Sequence, residues 1–286
     1  MNIISASRRT DIPAFHAEWV VSRFRERSVQ VVNPFNRKVR EQSLSPDDVA
    51  AIVFWTKNAE PIARHLDEIS DMGHDFTFLY SINNYPSIVE LNVPKMSQTI
   101  RTLEKLAESY GSKVFRWRYD TIILTESLNR SWHMKNFSNL CGIMGSFVDE
   151  CIFSFCDYYG KTKRNLEKLL PDHREPDCEE SVAIALELAE IAADSGIKLL
   201  SCAHDFLAVG PIGRARCIDP DFLKQIVRSD HRKLFLDETP ARPTRKDCGC
   251  VASVDIGSYN TCFHGCAYCY ATGNARAGLR NPSKIS

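Results

Sequence analysis

Near the carboxyl end the chain reads Cys262-Phe263-His264-Gly265-Cys266-Ala267-Tyr268-Cys269. Three thiolates spaced C-x3-C-x2-C can hold three irons of a 4Fe–4S cube. The fourth iron is then left without a protein ligand, and an open iron can chelate a small molecule. A four-cysteine electron carrier has no such opening, so the run predicts a cluster that does chemistry on a bound cofactor. Zinc is the competing metal, since thiolates also bind it. Structural zinc takes four ligands, often as paired C-x2-C units, and C-x3-C-x2-C fits that poorly. Disulfides fit less well again. Eleven cysteines cannot all pair, and Met1-Asn2-Ile3-Ile4 runs into folded-type sequence with no signal-peptide pattern. The expectation is cytoplasmic metal chemistry rather than stapling.

A second set of thiols precedes the first in sequence. Cys248-Gly249-Cys250 places two cysteines two positions apart, Cys202 ends a strand-like run, and Cys217 lies in the loop after it. Four thiolates suit a second 4Fe–4S cluster or a structural zinc. Cys202 and Cys217 also read as small buried hydrophobes, a common fate of free cysteine. Cys141, Cys151, Cys156 and Cys178 lack ligand spacing.

Cys262, Cys266, Cys269 and Tyr268, with the lead-in Asp255-Ile256-Gly257-Ser258-Tyr259-Asn260, resemble the radical S-adenosylmethionine (radical SAM) superfamily. The resemblance implies that the three cysteines bind a 4Fe–4S cluster whose open iron takes the amino and carboxylate groups of SAM. An electron, from a donor such as flavodoxin or ferredoxin, then cleaves SAM to methionine and a 5′-deoxyadenosyl radical that abstracts hydrogen from a substrate. The position of the motif departs from the superfamily, where it sits near the amino end of the domain. The whole chain resembles an uncharacterised bacterial family with this terminal cluster. The recurring pieces are Ser5-Ala6-Ser7-Arg8-Arg9-Thr10-Asp11-Ile12-Pro13, Asn33-Pro34-Phe35, Phe54-Trp55-Thr56-Lys57-Asn58, Trp117-Arg118-Tyr119-Asp120, Cys248-Gly249-Cys250 and the final motif. This likeness names no substrate, small molecule or modified biopolymer.

The elements that must position these residues alternate. Strand patterns fall at Ile3–Ala6, Ala51–Trp55, Phe76–Ile82, Val114–Tyr119, Cys151–Phe155, Lys198–Ala203 and Val251–Ile256. Helical patterns run over Pro13–Arg27, Gln98–Tyr110 and Ser181–Ser195, with Pro13 suited to a first turn and Gly111 to a carboxyl cap. Repeated strand–helix–strand units predict right-handed crossovers and a parallel sheet in an α/β fold. With this many repeats the expected architecture is a (β/α) barrel, complete or partial. Residues 1–247 would form the barrel body and 248–286 the cluster segment that closes it. In radical SAM barrels the cysteine loop follows the first strand, whereas here it follows the last. The barrel is therefore expected to be circularly permuted, with Val251–Ile256 beside Ile3–Ala6.

Chemistry in such sheets gathers at the carboxyl ends of the strands. The exits here are polar: Ser7-Arg8-Arg9-Thr10-Asp11, Thr56-Lys57-Asn58, Asn83-Asn84-Tyr85, Arg118-Tyr119-Asp120, Cys156-Asp157-Tyr158 and His204-Asp205. Turns are polar in any case, so the set carries more weight than any one residue. Arg8, Asp120 and Asp205 are the candidate catalytic groups. Arg8 offers a bidentate fork for a carboxylate or phosphate, or pairs with Asp11. Asp120 alternatively belongs to an ion-pair network with Arg116 and Arg118. Ser5, Ser7 and Arg8 would border the methionine end of SAM, and Tyr268 would stack near its adenine. His264 is expected to face solvent or the cluster loop. The tail carrying Arg276, Arg280 and Lys284 reads as a loose terminus or a lid.

Lys+Arg and Asp+Glu both total 36, which argues against a general polyanion binder. No apolar stretch approaches the ~20 residues that span a bilayer. Two further function classes stay open. One is a non-catalytic zinc or iron–sulfur protein, a binding module or electron carrier. The other is a DNA-lesion enzyme resembling spore photoproduct lyase. Only the Arg23/Arg25/Arg27 and Arg37/Lys38/Arg40 clusters speak for the latter, so nucleic acid is not an expected partner.

Overall fold

Long apolar runs that alternate with amphipathic stretches fold as crossovers onto one sheet. A computed structural model describes residues 1–273. In chain order the elements are β1 (Asn2–Ala6), α1 (Ile12–Phe15), α2 (Ala17–Glu26), β2 (Ser28–Val32), β3 (Val39–Ser43), β4 (Val49–Thr56), α3 (Glu60–Ala63), α4 (Leu66–Asp71), β5 (Phe76–Ser81) and α5 (Met96–Tyr110). Then follow β6 (Phe115–Ile122), α6 (Arg130–Met144), β7 (Glu150–Phe155), α7 (Gly160–Leu169), α8 (Cys178–Asp194), β8 (Lys198–Ser201), β9 (Gly213–Arg214), α9 (Pro220–Leu223), α10 (Asp230–Glu238) and β10 (Val254–Asp255). The main sheet has the order β10-β1-β4-β5-β6-β7-β8-β9, and every pairing in it is parallel.

Alternating side chains make two apolar layers. Ile52, Phe54, Phe78, Trp117, Tyr119 and Phe153 face one layer with Val20 and Phe24 of α2, Leu103 of α5, Phe137 of α6 and Leu188 of α8. Ile3, Val53, Trp55, Leu79, Ile152 and Leu200 face the other, with Ile218, Leu223, Val227, Leu236 and Val251. The crossover helices thus cover one face, and the chain after β9 fills the second. All eight residues of β4 are buried, as a parallel strand covered on both faces requires.

The expected α/β class is what forms, but the sheet is open. Among the described residues, β9 and β10 are its two edges and do not pair with each other. Each is two residues long, and the chain between them packs on the second face instead of extending the sheet. The expected neighbours do meet: Ile4 and Ser5 pair with Val254 and Asp255. Of Val251–Ile256, only Val254–Asp255 is strand in this sheet, while Val251 bridges to Ala241.

The helix expected over Pro13–Arg27 is broken at His16, whose backbone (φ −135°, ψ 30°) separates α1 from α2. The break lets the His16 ring reach the carbonyl of Thr261, 2.9 Å away in the cysteine segment. The antiparallel hairpin β2–β3 was not expected from the sequence; the Asn33 side chain organises its turn by accepting from the Phe35 and Asn36 amides. No helix among the described residues is long and apolar enough to cross a membrane. Arg276, Arg280 and Lys284 lie outside the described residues.

Candidate metal centre at the carboxyl edge of the sheet

Parallel pairing brings every strand exit to one edge, and three acids organise it, Asp11 and Glu90 buried and Asp255 partly so. The first is Asp255, the last residue of β10. Its carboxylate accepts from Ser7 Oγ (2.6 Å), Ser5 Oγ (3.2 Å), the Arg8 amide (2.8 Å) and the Gly257 amide (3.0 Å). These bonds lock the β1 exit to the strand that leads into the cysteine loop. Gly257 is required here, because a Cβ would lie 2.0 Å from Ser7 Oγ. Ser5 and Ser7, expected to border SAM, are buried and spend their hydroxyls on Asp255.

The second acid is Asp11, which caps α1 by accepting from the Ala14 amide (3.0 Å). It also accepts from Thr56 Oγ1 (2.8 Å) and the Lys57 amide (2.7 Å), tying β1 to β4. Its last partner is His264 Nε2, 2.7 Å away. His264 therefore does not face solvent: it is buried, and it anchors the cysteine loop to the β1 exit. Arg8 and Arg9 do not pair with Asp11; Arg9 approaches Asp255 instead, at 3.9 Å.

The third acid, Glu90, was not singled out in the sequence. It forms an antiparallel bridge with Cys266, and the Ala267 amide donates to the neighbouring Val89 carbonyl (2.8 Å). Lys57 Nζ (2.8 Å), Asn83 Nδ2 (3.0 Å) and the Tyr268 hydroxyl all donate to Glu90 Oε1. Burial pushes the Glu90 carboxyl up, but the Lys57 charge and these hydrogen bonds outweigh it and hold the group below its ordinary value. Tyr268, expected to stack near adenine, directs its hydroxyl into this network. Its ring lies under the Lys57 ammonium, 5.5 Å from the centroid. An acid inside the apolar run Ile88-Val89-Glu90-Leu91 was the sequence signal for this residue.

These knots hold the three thiols in one loop. Burial pushes the Cys262 thiol up to about 12, with the charges of Cys269 and Asp11 adding to the effect. Burial also drives Cys266 well above the ordinary thiol range, partly opposed by Lys57, while Glu90, Cys269 and Cys262 reinforce it. The thiols are thus within electrostatic reach of one another, and Cys262 and Cys266 stay protonated unless a cation replaces the protons. Among the described residues, no three Cys, His, Asp or Glu side chains are preset as a metal cage. The donor set itself, three soft sulfurs on one anchored loop, fits an iron–sulfur cube.

Beside the loop stands an arginine–tryptophan stack. The Arg8 and Arg118 guanidinium groups lie 5.1 and 4.9 Å from the centroid of the Trp55 ring. Arg118 pairs with Asp120 (2.6 Å), and Ser154 donates to the other Asp120 oxygen. Arg116 belongs to a different network at the opposite ends of the strands, with Glu150 and Asp219. Asp120 acts electrostatically on Lys57, so it shares the neighbourhood of Cys266. Asp205 does not join this group. It is on the surface, 3.2 Å from Arg214, with 40% of its side chain exposed, because the chain turns outward after β8. Its neighbour His204 points to Asp157 (3.5 Å), which also pairs with Arg245.

The second cysteine set converges as well. Cys202 and Cys217 have their sulfurs 3.6 Å apart, and Cys250 joins Cys217 and Cys248 through thiol contacts. All eleven cysteines are free. Cys141, Cys151 and Cys156 are buried in the cores.

The family signature described as a domain of unknown function, DUF1848, matches residues 3–271. The chain belongs to the DUF1848 family. The match runs through both cysteine sets and stops just past Cys269, so the loop is part of the family's domain. No curated protein matches the sequence. One solved structure, a Bacteroides thetaiotaomicron protein named provisionally as an alpha-L-fucosidase, is 12% identical. The alignment covers 83% of this chain and 84% of that one at a TM-score of 0.28.

Proposed function

We propose that this DUF1848 protein is a radical SAM enzyme, with Cys262, Cys266 and Cys269 as ligands of a 4Fe–4S cluster. The observation that carries the reading is the parallel pairing of β10 with β1. It brings a three-cysteine loop to the carboxyl edge of the sheet beside the β1 exit, which supports the reading because radical SAM enzymes carry their cysteine loop after a first strand. When bound, such a cluster would supply one electron that breaks the S–C5′ bond of SAM, giving methionine and a 5′-deoxyadenosyl radical.

The chain's own residues bind, orient and exclude water. Asp11–His264 and Glu90–Tyr268 fix the loop at both ends of the motif. Lys57 places a positive charge beside Cys266, which favours a thiolate there. Arg8 offers a charge-assisted contact to an anionic group of SAM or substrate. Asp120, positioned by Arg118 and Ser154, is the acid closest in role to substrate handling. Ser5 and Ser7 act through Asp255 and position the loop rather than touch SAM.

The test is anaerobic reconstitution with iron and sulfide, followed by SAM with and without dithionite. 5′-Deoxyadenosine and methionine should form only with reductant. A protein that carries cluster iron yet leaves SAM intact would overturn the enzyme reading in favour of an electron carrier. Melting temperature and SAM affinity of Arg8→Ala and Asp120→Asn separate pocket from scaffold. Normal melting with weakened SAM binding or lost turnover places them in the pocket. Collapsed melting with unchanged affinity places them in the scaffold.

A further inference from the structure

We propose that Cys202, Cys217, Cys248 and Cys250 bind a single zinc ion, at a site separate from the Cys262–Cys269 loop. The four residues come from three places in the chain: the end of β8, the β9–α9 loop and the run into β10. The fold brings them into one chain of sulfur contacts, Cys202–Cys217–Cys250–Cys248.

The spacing decides which metal. A tetrahedral ion with metal–sulfur bonds of about 2.3 Å has a sulfur–sulfur edge of about 3.8 Å. Cys202 Sγ and Cys217 Sγ lie 3.6 Å apart, close to that edge. A 4Fe–4S cube distributes its cysteines over different irons, so sulfurs in contact cannot each hold a corner. Soft thiolates in a tetrahedral set select zinc among the common ions. A second cube, the other option open in the sequence, does not suit this contact. The sulfurs are now joined as a chain, and no three donors form a preset cage among the described residues. Binding must draw Cys202 and Cys248, the two ends, onto the centre held by Cys217 and Cys250. Cys248 is only half-buried and sits next to Gly249, at the rim of the group.

The surroundings favour thiolate charge. The Ile218 amide donates to Cys250 Sγ (3.4 Å), and Arg245 Nη2 donates to Cys202 Sγ (3.7 Å). Thr244 Oγ1 contacts Cys248 Sγ at 3.6 Å. Such outer contacts orient and stabilise metal ligands. Gly249 is fitted to the site, since a Cβ there would come within 2.9 Å of the Arg216 side chain. Zinc would displace thiol protons as it binds. Its role is structural: it pins the chain filling the second face to the end of β8, just before β10.

The test uses the full chain carrying Cys262→Ala, Cys266→Ala and Cys269→Ala, purified without oxygen, so that the second set supplies the metal. Elemental analysis should find about one zinc per chain, and cobalt(II) replacement should give the visible spectrum of a tetrahedral tetrathiolate. Adding Cys217→Ser or Cys248→Ser should remove the metal. Cys248 is half-buried, so its variant tests the ligand without opening the core. If the triple variant does not fold, wild type against Cys248→Ser makes the same comparison. The proposal is overturned by a folded protein that stays zinc-free after loading, by zinc that survives both serine variants, or by iron and sulfide in equal amounts at this site.

Discussion

The two cysteine groups of this protein contrast in how their sulfurs are held. In the Cys262–Cys269 loop the thiols act on one another through space, and the residues between them, His264 and Tyr268, are tied to buried partners. Acids do the fixing: Asp11 holds His264, and Glu90 holds Tyr268 and Lys57. In the Cys202/Cys217/Cys248/Cys250 group the sulfurs touch each other, and the charges around them come from Arg116, Arg118 and Arg245. The first arrangement spreads three thiols along a loop at the carboxyl edge of the sheet. The second packs three thiols inside the apolar layer that fills the other face, with Cys248 at its rim. Spread sulfurs suit a multi-iron cluster with an open corner, and touching sulfurs suit one closed ion. Arg118 joins the two, since it pairs with Asp120 beside the loop and carries its charge to Cys202 and Cys217.

The largest separation should come from Cys266→Ala. Deoxyadenosine production should fall to background while zinc content is unchanged. Loss of both together would mean that the groups form one unit.

Next is Glu90→Gln, which leaves Lys57 buried without its charge partner, a change worth about 3–5 kcal/mol. The effect is pH-dependent with a defined sign. The lowered Glu90 carboxyl contributes stability above the ordinary carboxylate range and loses it as pH falls through the folded value. The raised Lys57 ammonium, where burial is outweighed by Glu90, contributes below the ordinary lysine range and loses it as pH rises through its folded value. The melting-temperature gap between wild type and variant should therefore be widest between about pH 4.3 and 10.4 and shrink at the acid end. A gap that does not change with pH would remove the ion pair from the account of the loop.

Asp11→Ala should cost on the order of 3 kcal/mol. It orphans the Thr56 hydroxyl and the Lys57 and Ala14 amides, at roughly 1 kcal/mol or more each. It should also lower cluster iron per chain without touching zinc, because His264 loses its anchor. Denaturant midpoints and metal content measured together check this.

The smallest effect belongs to Asp205→Asn. Its partner Arg214 is 70% exposed, and exposed pairs contribute about 0–1 kcal/mol. Melting and SAM cleavage should both stay near wild type. A large loss of cleavage would return Asp205 to the site.

The sequence made the strands legible because parallel strands buried on both faces are near-continuous apolar runs, as in β4. The neighbourhood of β1 and β10 was also legible, because the resemblance to radical SAM barrels implies that a cysteine loop after the last strand sits beside the first. Closure was not legible. Strand patterns do not tell that β9 and β10 shrink to two residues and that the chain between them turns to cover a face. Both cysteine groups could be read from spacing, but their supports could not. Asp11, Glu90 and Asp255 meet partners 45, 178 and 250 positions away in sequence. Periodicity reports which face a residue lies on and is silent about such partners. Asp205 lies apart from the other exits, because adjacency to a strand end does not fix on which side of the exit a side chain falls.

The most direct test of an open iron at Cys262, Cys266 and Cys269 is the electron paramagnetic resonance spectrum of reconstituted, dithionite-reduced protein before and after SAM. The expected result is a reduced 4Fe–4S signal that shifts when SAM is added and is absent from the Cys262→Ala variant. A signal that SAM leaves unchanged, or one that persists in Cys262→Ala, would contradict the assignment.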